Sequence, residues 1–410
     1  MFKTIKNSLY VEGVKVEEIA EKFGTPLYLY SQTQMIENFK KFDLAFSFFP
    51  HLICYALKAN SNLTIAKTLR QEGAGSDIVS GGELYRALLA GFNPKKIVFS
   101  GVGKTKDEMR AALKKNILAF NVESLEELKV LNSVAKAMGK KAPIAIRVNP
   151  DVDAGTHRHI TTGKAENKFG IHKKFIFEAY KTAQSLKNIS IQGIQAHIGS
   201  QITSTAPFVT LLKTLLNYVD ELAKAGIKIS HLDVGGGLGI CYDNENPPSP
   251  QELSKAFIPH LKGRNLTLLF EPGRFLVGNT GILVTKVLYR KKSGTKTFII
   301  VDAAMNDLAR PALYDAYHEI VPVASKNGTK KKVDVVGPIC ESGDYFARNR
   351  TLEIPEQNDL LAIKNTGAYG FAMSSQYNSR PRSAEVLVKG KKYSVIRRRE
   401  NFLDLVCHEQ

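Results

Sequence analysis

Leu52-Ile53-Cys54-Tyr55-Ala56-Leu57-Lys58 is an apolar run that ends abruptly on a lysine. Short runs of the same kind recur at residues 75–79, 96–100, 118–122, 143–148, 191–197, 230–234 and 266–270. Brief, near-continuous apolar stretches suit strands buried on both faces of a parallel sheet. The segments between them repeat apolar residues at helical spacing. Ser124-x-x-Glu127 and Thr105-x-x-Glu108 have the form of capping boxes, in which a hydroxyl and a carboxyl satisfy the first free amides of a helix. Leu128, Leu131, Ala135 and Met138 then share a face, and Gly139 can close that helix. A longer helix sets Phe208, Leu211, Leu215, Val219 and Leu222 on one face and stops at Gly226. Eight strand-then-helix units in series predict a (β/α)8 TIM barrel, and the count favours closure over a doubly wound open sheet.

Beyond residue 280 the texture changes. Residues 284–289, 296–301, 333–336, 360–364, 384–388 and 393–397 read as short strands between turns, with helical periodicity confined to a segment near Tyr314. The expected organisation is α/β, with a barrel over residues 31–275 and a mainly β domain over 276–410. A strand within residues 1–30, at 27–30, is expected to join the second domain's sheet.

Composition narrows the function classes. With 43% hydrophobic and 23% charged residues over 410, the chain falls among ordinary globular proteins rather than disordered ones. The four cysteines, at 54, 241, 340 and 407, form no C-x-x-C pair, so neither a zinc site nor a disulfide scaffold is indicated. His157 and His159 lack acidic or cysteine neighbours at metal spacing, and no metal is expected. The N-terminus has no apolar leader, and residues 42–49 are too short a greasy run to span a bilayer. The reading is a cytoplasmic protein without a membrane partner. A net charge of +18 raises nucleic acid as a partner, but the basic residues come as pairs and triplets such as Arg397-Arg398-Arg399 and form no long stripe interleaved with aromatics. They read as a solvated surface.

Barrel enzymes carry their chemistry at the C-terminal ends of the strands. Those positions hold Lys58, Asp77, His197, Gly235-Gly236-Gly237-Leu238-Gly239 and Glu271. A lysine leaving a buried strand can be a desolvated nucleophile. Successive glycines let backbone amides close on an anion; Ile240 breaks the dinucleotide fingerprint, so a monophosphate fits better. Glu271 could hold a ring nitrogen protonated, and Arg274 offers a fork for a carboxylate.

Together these residues resemble the fold-type III pyridoxal-phosphate (PLP) decarboxylases, an alanine racemase-like barrel family acting on diaminopimelate, ornithine and arginine. The resemblance runs from about residue 28 to 399. Tyr55-Ala56-Leu57-Lys58-Ala59-Asn60 is similar to the family's Schiff-base segment, which makes Lys58 the residue that bonds the cofactor. His197-Ile198-Gly199-Ser200-Gln201 resembles the segment whose histidine stacks on the pyridine ring. The glycine run, with Gly236 and Gly237, resembles the phosphate loop, and Glu271 the pyridinium partner. Asp77 and Ser200 are carried over as cofactor-binding residues.

Three further segments bring the chain nearest to the diaminopimelate branch. Met305-Asn306-Asp307-Leu308-Ala309-Arg310-Pro311-Ala312-Leu313-Tyr314 resembles the segment whose arginine and tyrosine bind the distal carboxylate. Cys340-Glu341-Ser342-Gly343-Asp344 resembles the cysteine motif, with Glu341 toward the distal ammonium. Gly367-Ala368-Tyr369-Gly370 resembles the segment whose tyrosine reaches phosphate and substrate. A substrate with an amino acid head at each end needs both signs of charge, which Arg274, Arg310 and Glu341 could supply; an ornithine-type substrate would leave the arginines unpaired. Ala304 departs from the branch's pattern, which has glycine there, and would be strained if that backbone needs positive φ. The resemblance implies lysine formation from diaminopimelate, with Cys340 or Lys58 returning the proton. It also implies a homodimer with shared active sites, in which Cys340 and Glu341 reach the neighbouring barrel. The alternatives are the same chemistry on ornithine, arginine or carboxynorspermidine, or a catalytically silent PLP-binding homologue.

Overall fold

The computed structural model describes residues 2–152 and 167–410. His157 and His159 lie outside them. The chain divides into two units, one of Asn38–Ile240 with Asn246–Phe275, the other of Met1–Glu37, Cys241–Glu245 and Leu276–Gln410.

In the first unit the apolar runs form eight parallel strands: β1 (His51–Ala56), β2 (Gly75–Ile78), β3 (Ile97–Phe99), β4 (Ala119–Val122), β5 (Ala142–Asn149), β6 (Ile189–Gln195), β7 (His231–Asp233) and β8 (Thr267–Phe270). Each pairs with the next, and β8 returns to β1 with Leu268 opposite His51 and Phe270 opposite Ile53. That pairing closes the barrel and removes the open-sheet alternative. The helix Ala206–Lys224 turns Phe208, Leu211, Leu215, Val219 and Leu222 inward. Phe42, Phe46, Phe257 and Phe270 pack into one aromatic cluster, with Phe46 and Phe270 centroids 4.3 Å apart.

The strand ends are tied by buried ions. Thr105 and Glu108 form both halves of their capping box. At Ser124 only the hydroxyl half forms, because the Glu127 carboxylate turns to the Glu123 amide and to Lys104 Nζ, 2.8 Å away. Lys104 is almost fully buried and also donates to the carbonyls of Gly101 and Asn121. A buried ammonium without an anion is far costlier than an uncapped amide, so the ion pair prevails. Glu123 in turn accepts from Gly101 N, Arg147 Nη1 and Gly170 N at 2.7, 2.9 and 3.1 Å. The chain leaving β3, β4 and β5 is thereby fixed where a barrel keeps its chemistry.

The second unit is mainly β. Its strands are β9 (Gly281–Ser293), β10 (Lys296–Val301), β11 (Ile320–Pro322), β12 (Lys330–Val336), β13 (Tyr345–Glu353), β14 (Leu360–Ile363), β15 (Ala384–Lys389) and β16 (Lys392–Arg397). Leu27–Ser31 lies between β9 and β15, antiparallel to the first and parallel to the second. Every residue of that strand is buried, as a central strand covered on both faces requires. An N-terminal three-stranded sheet and the helix Val16–Phe23 add Leu9, Val11, Val14 and Ile19 to a core with Leu27, Leu29, Ile282, Val284 and Val386. Among the described residues no helix is long and apolar enough to cross a membrane.

Ala304 is fully buried and its backbone does not take positive φ. The strain that the substitution for glycine would have carried does not arise. Its amide donates to Asp307 Oδ2 at 3.1 Å.

Candidate active site

A 3-10 turn over Leu57–Ala59 carries Lys58 off the end of β1. Its neighbour strand places Asp77 opposite Ala56, and Lys58 Nζ meets Asp77 Oδ2 at 2.7 Å. The Asp77 side chain has no solvent exposure, and Oδ1 has no hydrogen-bond partner among the described residues. A carboxylate this deep needs a cation, and Lys58 supplies it.

Glu271 follows β8 and is 5% exposed. Its Oε1 accepts from Asn121 Nδ2 at 3.1 Å and Ser100 Oγ at 3.4 Å, and its Oε2 from Gln195 Nε2 at 3.1 Å. Asp233, 1% exposed at the end of β7, is within hydrogen-bonding reach of the same carboxyl. Burial, then the charges of Asp233 and Asp77, push the Glu271 carboxyl well above the usual carboxylate range, and the Lys58 ammonium pulls it back. The pair therefore retains a proton in the barrel at pH values where free carboxyls have lost theirs.

His197 lies two residues beyond β6. Its Nδ1 accepts the amide of Gly236 at 3.2 Å, which leaves the proton on Nε2. Burial, with Lys58 and Arg147 adding positive charge, lowers its pKa well below that of a free imidazole, so the ring is neutral. The glycine run is dictated by space. Gly235 and Gly237 have φ of 67° and 107°, and a Cβ on Gly236 would overlap the carbonyl oxygen of Glu271. Asp233 Oδ1 takes the Gly235 amide at 2.8 Å, whereas the Gly237 amide has no acceptor among the described residues. Arg274, 6% exposed, donates from Nη2 to Ser200 Oγ at 3.0 Å.

This arrangement suits a pyridoxal phosphate. It provides a primary amine, a proton-bearing carboxyl for a ring nitrogen, a neutral imidazole and a loop whose glycines leave room for an anion. Asp77 Oδ1 is a buried acceptor without a donor among the described residues.

The other expected residues belong to the second unit. Arg310 opens the short helix Arg310–Tyr314 and is 7% exposed; its Nη1 meets His318 Nε2 at 2.8 Å. Cys340 and Glu341 are exposed; the Cys340 amide donates to Asn378 Oδ1 at 3.0 Å, and Glu341 Oε2 accepts from Tyr377 Oη at 2.7 Å. Tyr369 has a left-handed backbone, φ 57°. A non-glycine residue there costs about 1–3 kcal/mol, which the tight packing around Gly367 and Gly370 sustains.

Sequence reasoning missed Ser100, Asn121, Gln195 and Asp233, which frame the Glu271 carboxyl. A signal existed: each is a polar residue in or ending an apolar strand, where only a buried partner justifies it. Arg147 and Glu123 were missed for the same reason.

A parallel barrel with a lysine, a proton-holding carboxyl and a glycine loop at its C-terminal end defines a cofactor-dependent enzyme of the pyridoxal type. Residues 32–278 match the pyridoxal binding domain of the pyridoxal-dependent decarboxylases, and the chain belongs to that family. It is 51% identical to the diaminopimelate decarboxylase of Vibrio cholerae, over 97% of this chain and 95% of that one. It is 49% identical to that of Aquifex aeolicus, over 96% and 94%. Among solved structures, diaminopimelate decarboxylase from Helicobacter pylori complexed with L-lysine superposes with a TM-score of 0.92 at 43% identity, covering 96% of this chain and 98% of that one. The enzyme from M. jannaschii in complex with L-lysine gives 0.95 at 39%, covering 100% and 98%.

Proposed function

We propose that this chain converts meso-2,6-diaminopimelate to L-lysine and carbon dioxide, using pyridoxal phosphate held by the barrel. The observation that carries the reading is the Lys58–Asp77–Glu271 constellation in a chain half identical, over nearly its full length, to relatives named for that reaction. Two similar structures contain L-lysine, the product expected here.

Bound pyridoxal phosphate would supply a sink for the electron pair released when the Cα–carboxylate bond breaks. Lys58 would bond the cofactor, and Asp77, 2.7 Å from Nζ, would hold the lysine ammonium when that bond is open. Glu271, oriented by Gln195, Asn121 and Ser100, would keep a proton at the ring nitrogen. His197, neutral and fixed by Gly236, would present a flat face to the ring. Gly236, Gly237, Ser200 and Tyr369 would hold the phosphate. Arg274, Arg310 and Tyr314 would bind the distal carboxylate, and Glu341 the distal ammonium, with Tyr369 beside the substrate. Cys340 or Lys58 would return a proton to Cα.

The working form would be a homodimer, with Cys340 and Glu341 serving the neighbouring barrel. The four cysteines are free and three are exposed, which suits a reducing cytoplasm. Supplying the PLP-loaded protein with meso-diaminopimelate, ornithine, arginine and carboxynorspermidine in parallel tests the reading. Lysine from the first alone supports it. Putrescine from ornithine would leave the fold chemistry standing and sink the roles given to Arg310 and Glu341.

A further inference from the structure

Arg310 is held from behind by a histidine whose protonation state the geometry fixes. A guanidinium has donors only, so His318 Nε2, 2.8 Å from Arg310 Nη1, must present a lone pair. The ring proton then sits on Nδ1, which donates to the Lys364 carbonyl oxygen at 2.7 Å. His318 is fully buried, and its own carbonyl accepts from Arg350 Nη1 at 2.9 Å. The Tyr242 ring completes the support. It lies 4.6 Å from the Arg310 guanidinium carbon and meets the His318 ring edge-on, with centroids 5.3 Å apart and planes at 82°.

A carboxylate in the place of His318 would fix the guanidinium equally well but would neutralise it. A neutral imidazole fixes it without adding a counter-charge of its own. An aromatic face constrains the plane of the fork in the same charge-sparing way.

We propose that His318 and Tyr242 are positioning residues that set Arg310 for the distal carboxylate of the substrate, an assignment resting on the role given to Arg310 above. They determine specificity for a diamino acid over a diamine without touching either.

The test compares His318→Leu, His318→Gln, Tyr242→Leu and Arg310→Met in the PLP-loaded enzyme. Read-outs are kcat and KM for diaminopimelate, and inhibition by L-lysine, which keeps the distal carboxylate, and by cadaverine, which lacks it. His318→Leu is expected to raise KM and the lysine inhibition constant roughly tenfold or more, the value of a hydrogen bond to a charged group, with kcat within about threefold and cadaverine unaffected. Tyr242→Leu should give about a threefold rise in the same two constants. His318→Gln, whose amide oxygen can accept from Arg310, should recover most of the loss. If Arg310→Met weakens lysine and His318→Leu does not, positioning is overturned while the Arg310 reading stands. If Arg310→Met leaves lysine binding unchanged, that reading itself falls. Equal weakening of lysine and cadaverine by His318→Leu, or a fall in kcat alone, would mark a merely structural histidine and overturn the proposal.

Discussion

Lys58 Nζ and Asp77 Oδ2 stand 2.7 Å apart at the ends of adjacent strands, with the aspartate side chain wholly shielded from solvent. The pair fixes where an amine can work in this barrel, and it gives the first prediction. Lys58→Ala should lower kcat by about three orders of magnitude or more, since it removes the amine given the role of nucleophile. Near-normal turnover in a direct carbon dioxide assay would end the proposed scheme.

Glu271→Gln keeps the shape of the side chain and removes its proton chemistry. An amide cannot hold a ring nitrogen in its charged form, so kcat should fall about 100-fold to 1000-fold with KM for diaminopimelate little changed. Steady-state kinetics at saturating cofactor separate the two constants; an unaltered kcat would remove Glu271 from the mechanism.

Gly236→Ala tests the loop by size alone. Its added methyl would run into the Glu271 carbonyl oxygen, so the loop must shift. Cofactor affinity should drop at least tenfold in an absorbance titration, whereas Gly328→Ala, in an exposed loop where the added methyl meets only ordinary contacts, should leave it unchanged.

Glu83 links the site to acid–base stability. Burial, against the opposing bond from the Val79 amide, pushes its carboxyl up from 4.5 to about 7. The folded state then binds more protons than the unfolded state between those values, so this group's contribution weakens as pH rises from 4.5 to about 7. Glu83→Gln should be more stable than the parent at pH 8, with that advantage shrinking toward pH 4. Urea midpoints at the two pH values measure it, and a parent–variant difference independent of pH would contradict the assignment.

The barrel was legible because its signal is local. Each β-strand is a short apolar run, each run precedes a helix, and the residue leaving the run is often the functional one, as at Lys58 and Glu271. The N-terminal helix Val16–Phe23 and strand β13 were not legible. The helix keeps Val16, Ile19, Ala20 and Phe23 at helical spacing for only two turns, and β13 carries the unbroken polar run Arg348-Asn349-Arg350-Thr351, so neither pattern is long enough to stand out. The half-formed cap at Ser124 failed for a different reason: Lys104, which competes for the Glu127 carboxylate, is 23 positions from it and becomes a neighbour only when β3 and β4 pair. The polar frame of Glu271 is likewise a product of closure, since Ser100, Asn121, Gln195 and Asp233 come from four separate strand ends. Sequence shows such residues one at a time; only the ring makes them one site.

Asp77, Asp233 and Glu271 crowd three carboxyls around a single lysine amine. The Asp233–Glu271 pair, which keeps its proton above the usual carboxylate range, is already a partly titrated buffer before any ligand arrives. Loading a cofactor that carries its own ionisable ring nitrogen and phosphate must therefore redistribute protons among these groups and exchange the remainder with water. Docking in this barrel is an acid–base reaction, and its heat will depend on the ionisation enthalpy of the buffer in which it is measured.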